Sequence, residues 1–299
     1  MKNSRVELNE EIAKEIDDQE RREKSIKVLK ITALIFIPLF IFFSLSYISL
    51  RFIGNIGIIV KEYPIYNETI PKDFHGIKII QFSDIHYNQE SSKEKLNDLV
   101  NIINKINPDI VIFTGDLIDS NHNITLQEKI ELITKLEKIN ATIGKYAIYG
   151  EDDGSIAYDI LTNSDFEILT NTIKNIHINK SSIQLIALDD NKNNYEKLLS
   201  EKNNTYSIAI THKPDNSKDI VDIFNSPLIL AGHSHNGQVR LPFIGPMMKK
   251  EGSKKYIDSY YKINNTELLI SSGIGNSKYN FRLFNHPSIN FIRLKSLTQ

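Results

Sequence analysis

The 299-residue chain reads as an α/β protein: two packed mixed β-sheets sandwiched by helices and preceded by one transmembrane helix. Three observations predict this. Strand-like apolar runs alternate with segments of helical periodicity from about residue 76, and the later part of the chain is rich in consecutive short strands. Upstream, residues 31–50 contain no charged side chain.

The elements follow in order. Residues 1–30 are dense in charge of both signs and read as a solvated, partly helical tail. Residues 31–51 read as the membrane span, because about 20 apolar residues at ~1.5 Å rise cross a hydrocarbon core of about 30 Å. Pro38 lies inside it, and membrane helices tolerate proline. No A-x-A-like cleavage site follows the apolar core, which argues against a removed signal peptide. Arg21, Arg22, Lys24, Lys27 and Lys30 precede the span, against Arg51 and Lys61 after it. The positive-inside rule then predicts a single-pass protein of the cell membrane, with a cytoplasmic N-terminus and an extracytoplasmic remainder. Residues 52–74 are a linker or a first strand, since the apolar patch at 52–60 holds two glycines and is too short to span.

Residues 75–296 form the folded domain. Its strands are expected at 77–82, 110–113 and 145–149, with helices at 92–106 and 126–139 between them. Consecutive strands follow at 176–179 and 183–188, then at 239–241, 268–271 and 289–294, with turns near Gly245 and Gly273. The formal net charge of −1 gives no reason to expect a nucleic-acid partner. Cysteine is absent, which excludes disulfides, thiolate metal sites and cysteine nucleophiles.

Chemistry-bearing residues cluster where apolar runs end. Ser83-Asp84-Ile85-His86 follows residues 77–80, and Gly232-His233-Ser234-His235 follows residues 227–231. In an extended segment, side chains at i and i+2 point the same way, so each pair can converge on one point. Gly115-Asp116 follows residues 110–113, and Thr211-His212 follows residues 208–210. Four clusters of carboxylate and imidazole at strand ends read as one metal centre built on a sheet. Oxygen and nitrogen donors suit Mn, Fe, Zn or Mg and do not select among them.

These residues resemble the calcineurin-like metallophosphoesterases, in particular their membrane-anchored bacterial branch. The family pattern D-x-H, G-D, G-N-H-[DE], a lone His and G-H-x-H is matched by Asp84-Ile85-His86, Gly115-Asp116, Gly150-Glu151-Asp152-Asp153, His212 and Gly232-His233-Ser234-His235. Flanking text is similar too, at Thr211-His212-Lys213-Pro214-Asp215, Gly237-Gln238-Val239-Arg240-Leu241-Pro242 and Gly273-Ile274-Gly275-Asn276. The resemblance covers about residues 75–295 and implies a four-layer fold with two divalent ions, manganese first and iron or zinc as the other candidates.

Carried over by position, the resemblance assigns Asp84, His86 and His235 to the first ion and His212 and His233 to the second, with Asp116 bridging both. Two ions about 3.5–4 Å apart lower the pKa of a shared water and stabilise an in-line phosphoryl displacement. The implied activity is hydrolysis of a phosphoester or pyrophosphate in a phosphorylated small molecule or a lipid-linked phosphate.

The chain departs from the family in one block. Glu151 stands where the family has its Asn ligand, and it can still bind a hard cation. Asp152 stands where the family has the His that protonates the leaving group. An Asp donates a proton only if its pKa rises well above ~3.9, and two cations push it down. The alternative is therefore a metal-binding member of the fold with lost or weak catalysis. Asp119 is either an orienting group for a ligand His or a plain turn acid, and Asp153 is expected to bond loop backbone. Arg240 and Arg282 are candidate phosphate contacts or ordinary basic residues. His75, His122, His177 and His286 have no patterned partner and read as structural.

Overall fold

The computed structural model describes residues 2–51, 53–87, 91–119, 121–276 and 281–297. The chain divides into two compact units, Met1–Leu50 and Arg51–Gln299.

The first unit is helical. Helix α1 (Lys2–Arg51) runs without a break for 50 residues, so the charged tail is not partly helical but continuous with the apolar run. The reason is local: residues 2–30 lack Gly and Pro, and Asp17–Arg21 and Glu20–Lys24 pair at helical i,i+4 spacing, 2.9 and 3.7 Å apart. Within it, Lys14–Ile48 contains a stretch long and apolar enough to cross a membrane, with a mean hydropathy of 2.4 over its most apolar window. Its apolar side chains, among them Leu34 and Phe40, are exposed and join no core.

In the second unit, β1 (Ile59–Asn67), β2 (Lys78–Phe82), α2 (Ser91–Ile106), β3 (Ile110–Thr114), α3 (Leu126–Glu137), β4 (Gly144–Ile148), α4 (Ser155–Thr162) and β5 (Glu167–Ile168) build the first half. The second half contains β6 (Thr172–Ile178), β7 (Ser181–Leu188), α5 (Tyr195–Leu198), β8 (Ser207–Thr211), α6 (Ser217–Phe224) and β9 (Leu228–Ala231). A short hairpin of β10 (Arg240–Leu241) and β11 (Gly245–Pro246), then β12 (Tyr260–Ile263), β13 (Thr266–Ile270) and β14 (Ser288–Ser296), completes it.

Two six-stranded sheets result, ordered β1-β14-β2-β3-β4-β5 and β12-β13-β9-β8-β7-β6. Both are mixed: β2, β3, β4 and β5 are parallel, as are β7, β8, β9 and β13, with antiparallel pairing at β14–β2, β6–β7 and β12–β13. Segment 59–67 is therefore an edge strand, paired in parallel with β14 from Ile59↔Ser288 to Asn67↔Ser296.

Three apolar layers hold the unit together. Ile79, Ile110 and Ile112 of the first sheet pack against Ile208, Ile210, Leu228 and Leu230 of the second. Leu99, Ile103, Leu132 and Leu136 of α2 and α3 cover the outer face of the first sheet. Ile220 and Phe224 of α6 cover the second. Burial of each such side chain contributes about 1.5–3 kcal/mol. Strands covered on both faces read as continuous apolar runs, which is why Ile110–Thr114 is buried at every position. Helix α3 starts at a capping box in which Thr125 accepts from the Glu128 N–H and the Glu128 carboxylate accepts from the Thr125 N–H at 2.9 Å.

This topology puts the C-terminal ends of β2 and β3 on one sheet beside those of β8 and β9 on the other. The buried Gln81 side chain ties them: its Nε2 donates to the Ala231 carbonyl (2.8 Å) and to Thr114 Oγ1 (3.1 Å), and its Oε1 accepts from Asn290 Nδ2 (2.8 Å).

Candidate metal centre

Each sheet end leads into one of the histidine-containing loops. Residues 83–86 leave β2, Gly115-Asp116 leaves β3, His212 follows β8, and residues 232–235 follow β9. The structure brings Asp84, His86, Asp116, His212, His233 and His235 together, all buried. One group is Asp84, His86 and His235; a second is Asp116, His212 and His233.

The paired residues do not converge by the extended geometry that their spacing suggests. Asp84 (φ 49°), His86 (41°), Asp116 (63°), His233 (65°) and His235 (47°) all sit in left-handed backbone. Few non-glycine residues adopt that region, and such residues gather at functional sites. Five of the six candidate ligands thus hold a conformation that only the surrounding packing makes tenable.

Close approach is required elsewhere. Gly115 (φ +92°) has room for no side chain, since a Cβ would lie 2.5 Å from Gly150 N and 2.7 Å from His212 Nδ1. A Cβ on Gly150 would lie 2.0 Å from Asp116 Oδ1. Asp153 fixes the same loops together, accepting from the backbone N–H groups of Asp116, Leu117 and Gly150, each at 2.8 Å. Asp119 makes the local bond of a turn acid, its Oδ1 accepting from the Asn121 N–H at 2.9 Å.

Hydrogen bonds set which ring nitrogens face inward. His212 Nδ1 donates to the Thr114 carbonyl (2.7 Å) and His233 Nε2 to the Glu251 carbonyl (2.6 Å). Each leaves the other nitrogen's lone pair directed into the site. Those inward atoms, His212 Nε2 and His233 Nδ1, are buried without a hydrogen-bond partner, and so is Asp116 Oδ2. Buried polar atoms are rarely left so, and three converging on one point fit a cation. Asp116 Oδ2 is 3.2 Å from His212 Nε2 and 3.5 Å from His86 Nε2, so one oxygen lies between the two groups. In the other group, His235 Nε2 is 3.3 Å from Asp84 Oδ1 and 3.1 Å from His86 Nε2.

Charge follows from this packing. Burial alone would raise both carboxyls, but His235 beside Asp84 and His212 beside Asp116 hold them well below the usual carboxylate range. Burial likewise opposes the charged form of His212, yet Asp116 raises its pKa to about 10. Burial lowers His235 and His233, the latter helped by the charge of His212.

The altered block behaves differently. Glu151 Oε1 lies 3.7 Å from His233 Nδ1, but Oε2 pairs with Lys213 at 3.1 Å and the side chain is 42% exposed. Asp152 approaches the first group, with Oδ2 3.8 Å from His86 Nδ1. Burial, then Asp116, raises Asp152 in the ion-free protein, a shift opposite in sign to the one two cations impose.

Of the candidate phosphate contacts, Arg282 is wholly buried. Its guanidinium instead donates to Asn276 Oδ1 (2.9 Å) and to the Ser272 (2.9 Å), Gly273 (3.2 Å) and Gly275 (2.5 Å) carbonyls. It therefore braces the loop behind His235 and does not face a substrate. The sequence singles out Arg282 but not its bracing role, and gives no sign of the roles of Gln81 and Lys213, because each depends on contacts distant in the chain.

Comparison with known proteins agrees with the geometry. A family model described as calcineurin-like phosphoesterase matches residues 77–237. The metallophosphoesterase YkuE of Bacillus subtilis is 34% identical over 245 residues, covering 79% of this chain and 85% of YkuE. The UDP-2,3-diacylglucosamine pyrophosphatase LpxG of Chlamydia muridarum is 27% identical over 179 residues, covering 58% of this chain and 48% of LpxG. Among solved structures, the calcineurin-like phosphoesterase YfkN from Bacillus subtilis aligns with a TM-score of 0.43 at 12% identity, over 73% of this chain and 90% of that one. The chain belongs to the calcineurin-like phosphoesterase family.

Proposed function

We propose that this protein is a membrane-anchored, dinuclear metal-dependent phosphohydrolase that cleaves a phosphoester or pyrophosphate. The observation that carries the reading is the convergence of Asp116 Oδ2, His212 Nε2 and His233 Nδ1, all buried without a hydrogen-bond partner, beside a second imidazole–carboxylate group. In this reading Asp84, His86 and His235 would hold one divalent ion and His212, His233 and Glu151 the other, with Asp116 a candidate ligand to either. Ions held by these residues would supply Lewis acidity, lowering the pKa of water and offsetting charge on a phosphoryl group. Manganese is the first candidate, with iron or zinc next; the all-oxygen-and-nitrogen donor set suits each.

The protein's own residues do the positioning. Thr114 and Glu251 carbonyls hold two histidines in the tautomers that leave inward lone pairs. Asp152 Oδ2, 3.8 Å from His86 Nδ1, puts a negative charge on the outer side of that imidazole. The apolar run of α1 anchors the domain, and the basic residues before it favour an extracytoplasmic catalytic unit. Substrates of this reading are a phosphorylated small molecule or a lipid-linked phosphate; the relative named as a UDP-2,3-diacylglucosamine pyrophosphatase supports the latter.

The test uses full-length protein in detergent, loaded with Mn²⁺ and assayed on p-nitrophenyl phosphate and its diester. Hydrolysis is expected, and activity that survives an Asp116→Ala, His233→Ala double substitution contradicts the reading. A second reading, a metal-binding member with weak catalysis, draws on the Glu151–Lys213 pair and on the carboxylate at 152. Proton donation to a leaving group contributes about 10²–10⁴-fold where a general acid is present. Replacing Glu151→Asn together with Asp152→His should therefore raise turnover by that order, and no gain excludes a missing acid as the cause.

A further inference from the structure

Beside the metal centre lies a cavity of about 340 Å³ lined by Lys61, Arg240, Asn236 and Asn285, with Ile59 and Phe284 among its walls. Asn236 directly follows His235, and its Nδ2 donates to Ser272 Oγ at 2.6 Å. Lys61 Nζ donates to the same oxygen at 2.9 Å. The cavity is thus one residue and one shared hydroxyl away from a candidate ligand.

Its electrostatics are unbalanced. Among the described residues no carboxylate lies within ion-pair range of Lys61, which is half-buried on β1. Arg240 is partly compensated by Asp258 at 2.7 Å; the buried Arg282 close by has no carboxylate within ion-pair range among the described residues, and feels Asp84 at longer range. Burial, then the charges of Arg282 and Arg240, lower Lys61 to about 8. Asn236 Oδ1 is buried without a partner. An amide that rotates by half a turn would accept from Ser272 and offer its N–H groups to a ligand instead. A concave space with an uncompensated lysine and one adaptable amide, its single lining carboxylate, Asp258, being taken up by Arg240, fits an oxyanion.

We propose that this cavity is an anion subsite, with Lys61 as its central cation, that takes a phosphate-type group of the substrate other than the one attacked at the metal centre. This deepens the hydrolase reading and rests on it: the substrate carries a second anionic group. The exposed faces of Ile59 and Phe284, 47% and 67% accessible, allow that group to be a lipid headgroup as well as a free phosphate.

The test is made without metal, so that phosphate binding and catalysis are read separately. Full-length protein in detergent is stripped with EDTA and titrated with inorganic phosphate, then with dihexanoylphosphatidate. Calorimetry gives the affinity, and NMR of ¹³C-dimethylated lysines gives the site. We expect saturable binding that moves a lysine signal missing from Lys61→Gln. Affinity should fall at least about tenfold in Lys61→Gln, about 1.4 kcal/mol, and should be largely kept in Lys61→Arg. Tighter binding of the lipid than of phosphate assigns the subsite to a headgroup, and equal binding assigns it to the free anion. No saturable binding by the wild-type protein, or equal affinity in Lys61→Gln that retains its melting temperature, overturns the proposal. Failure of the hydrolase reading appears elsewhere, as metal-loaded protein that does not cleave either nitrophenyl substrate.

Discussion

His212 shows how one residue couples protonation, metal and stability. Its pKa is raised to about 10 because Asp116 outweighs the cost of burial, whereas an unfolded histidine titrates near ~6.5. A raised native value means that this stabilisation is complete below about pH 6.5 and is lost as pH rises through about 10. The melting temperature of EDTA-stripped protein should therefore fall across that window, and fall less in His212→Gln. Equal slopes for the two proteins contradict the Asp116–His212 pairing. The same proton must leave when an ion takes the Nε2 lone pair, so loading Mn²⁺ at pH 7 should release protons measurable in weak buffer.

At the scale of elements, the loops after β2, β3, β8 and β9 form the site, and small residues set how closely they meet. Gly150→Ala would drive a Cβ against Asp116 Oδ1, so metal binding should drop steeply while circular dichroism keeps its mixed α/β character. Asp153→Ala removes the acceptor of three backbone N–H groups. It should destabilise the domain by at least about 3 kcal/mol in urea titration, since each of the three unsatisfied donors costs about 1–3 kcal/mol. Much of this architecture was legible from residue order: apolar runs locate β2, β3, β8 and β9, and the motif residues stand where those strands end. Other parts were not. Strand β1 alternates exposed and half-buried residues around Pro64, with only Ile65 buried, because it is an edge strand that takes its register from β14. Helices α4 and α6 are eight residues each, too short for periodicity to declare them. The left-handed backbone at Asp84 and His86 is imposed by contacts with Gly115, Asp116 and Gly275, which no local pattern records.

On the scale of the whole molecule, an uninterrupted helix carries both the charged tail and the apolar run, and a separate compact unit carries the site. In inverted or right-side-out vesicles, protease should cut the compact unit only from the extracytoplasmic side; cutting from the cytoplasmic side contradicts the proposed orientation. The proposed function rests on two ions held by six buried side chains and the half-exposed Glu151. Elemental analysis of full-length protein, saturated with Mn²⁺ and then freed of excess, tests it most directly. Two ions per chain are expected in the wild type, with a clear loss in Asp116→Ala, whose carboxylate borders both groups. A chain that binds none, or an Asp116→Ala protein that keeps both, contradicts it.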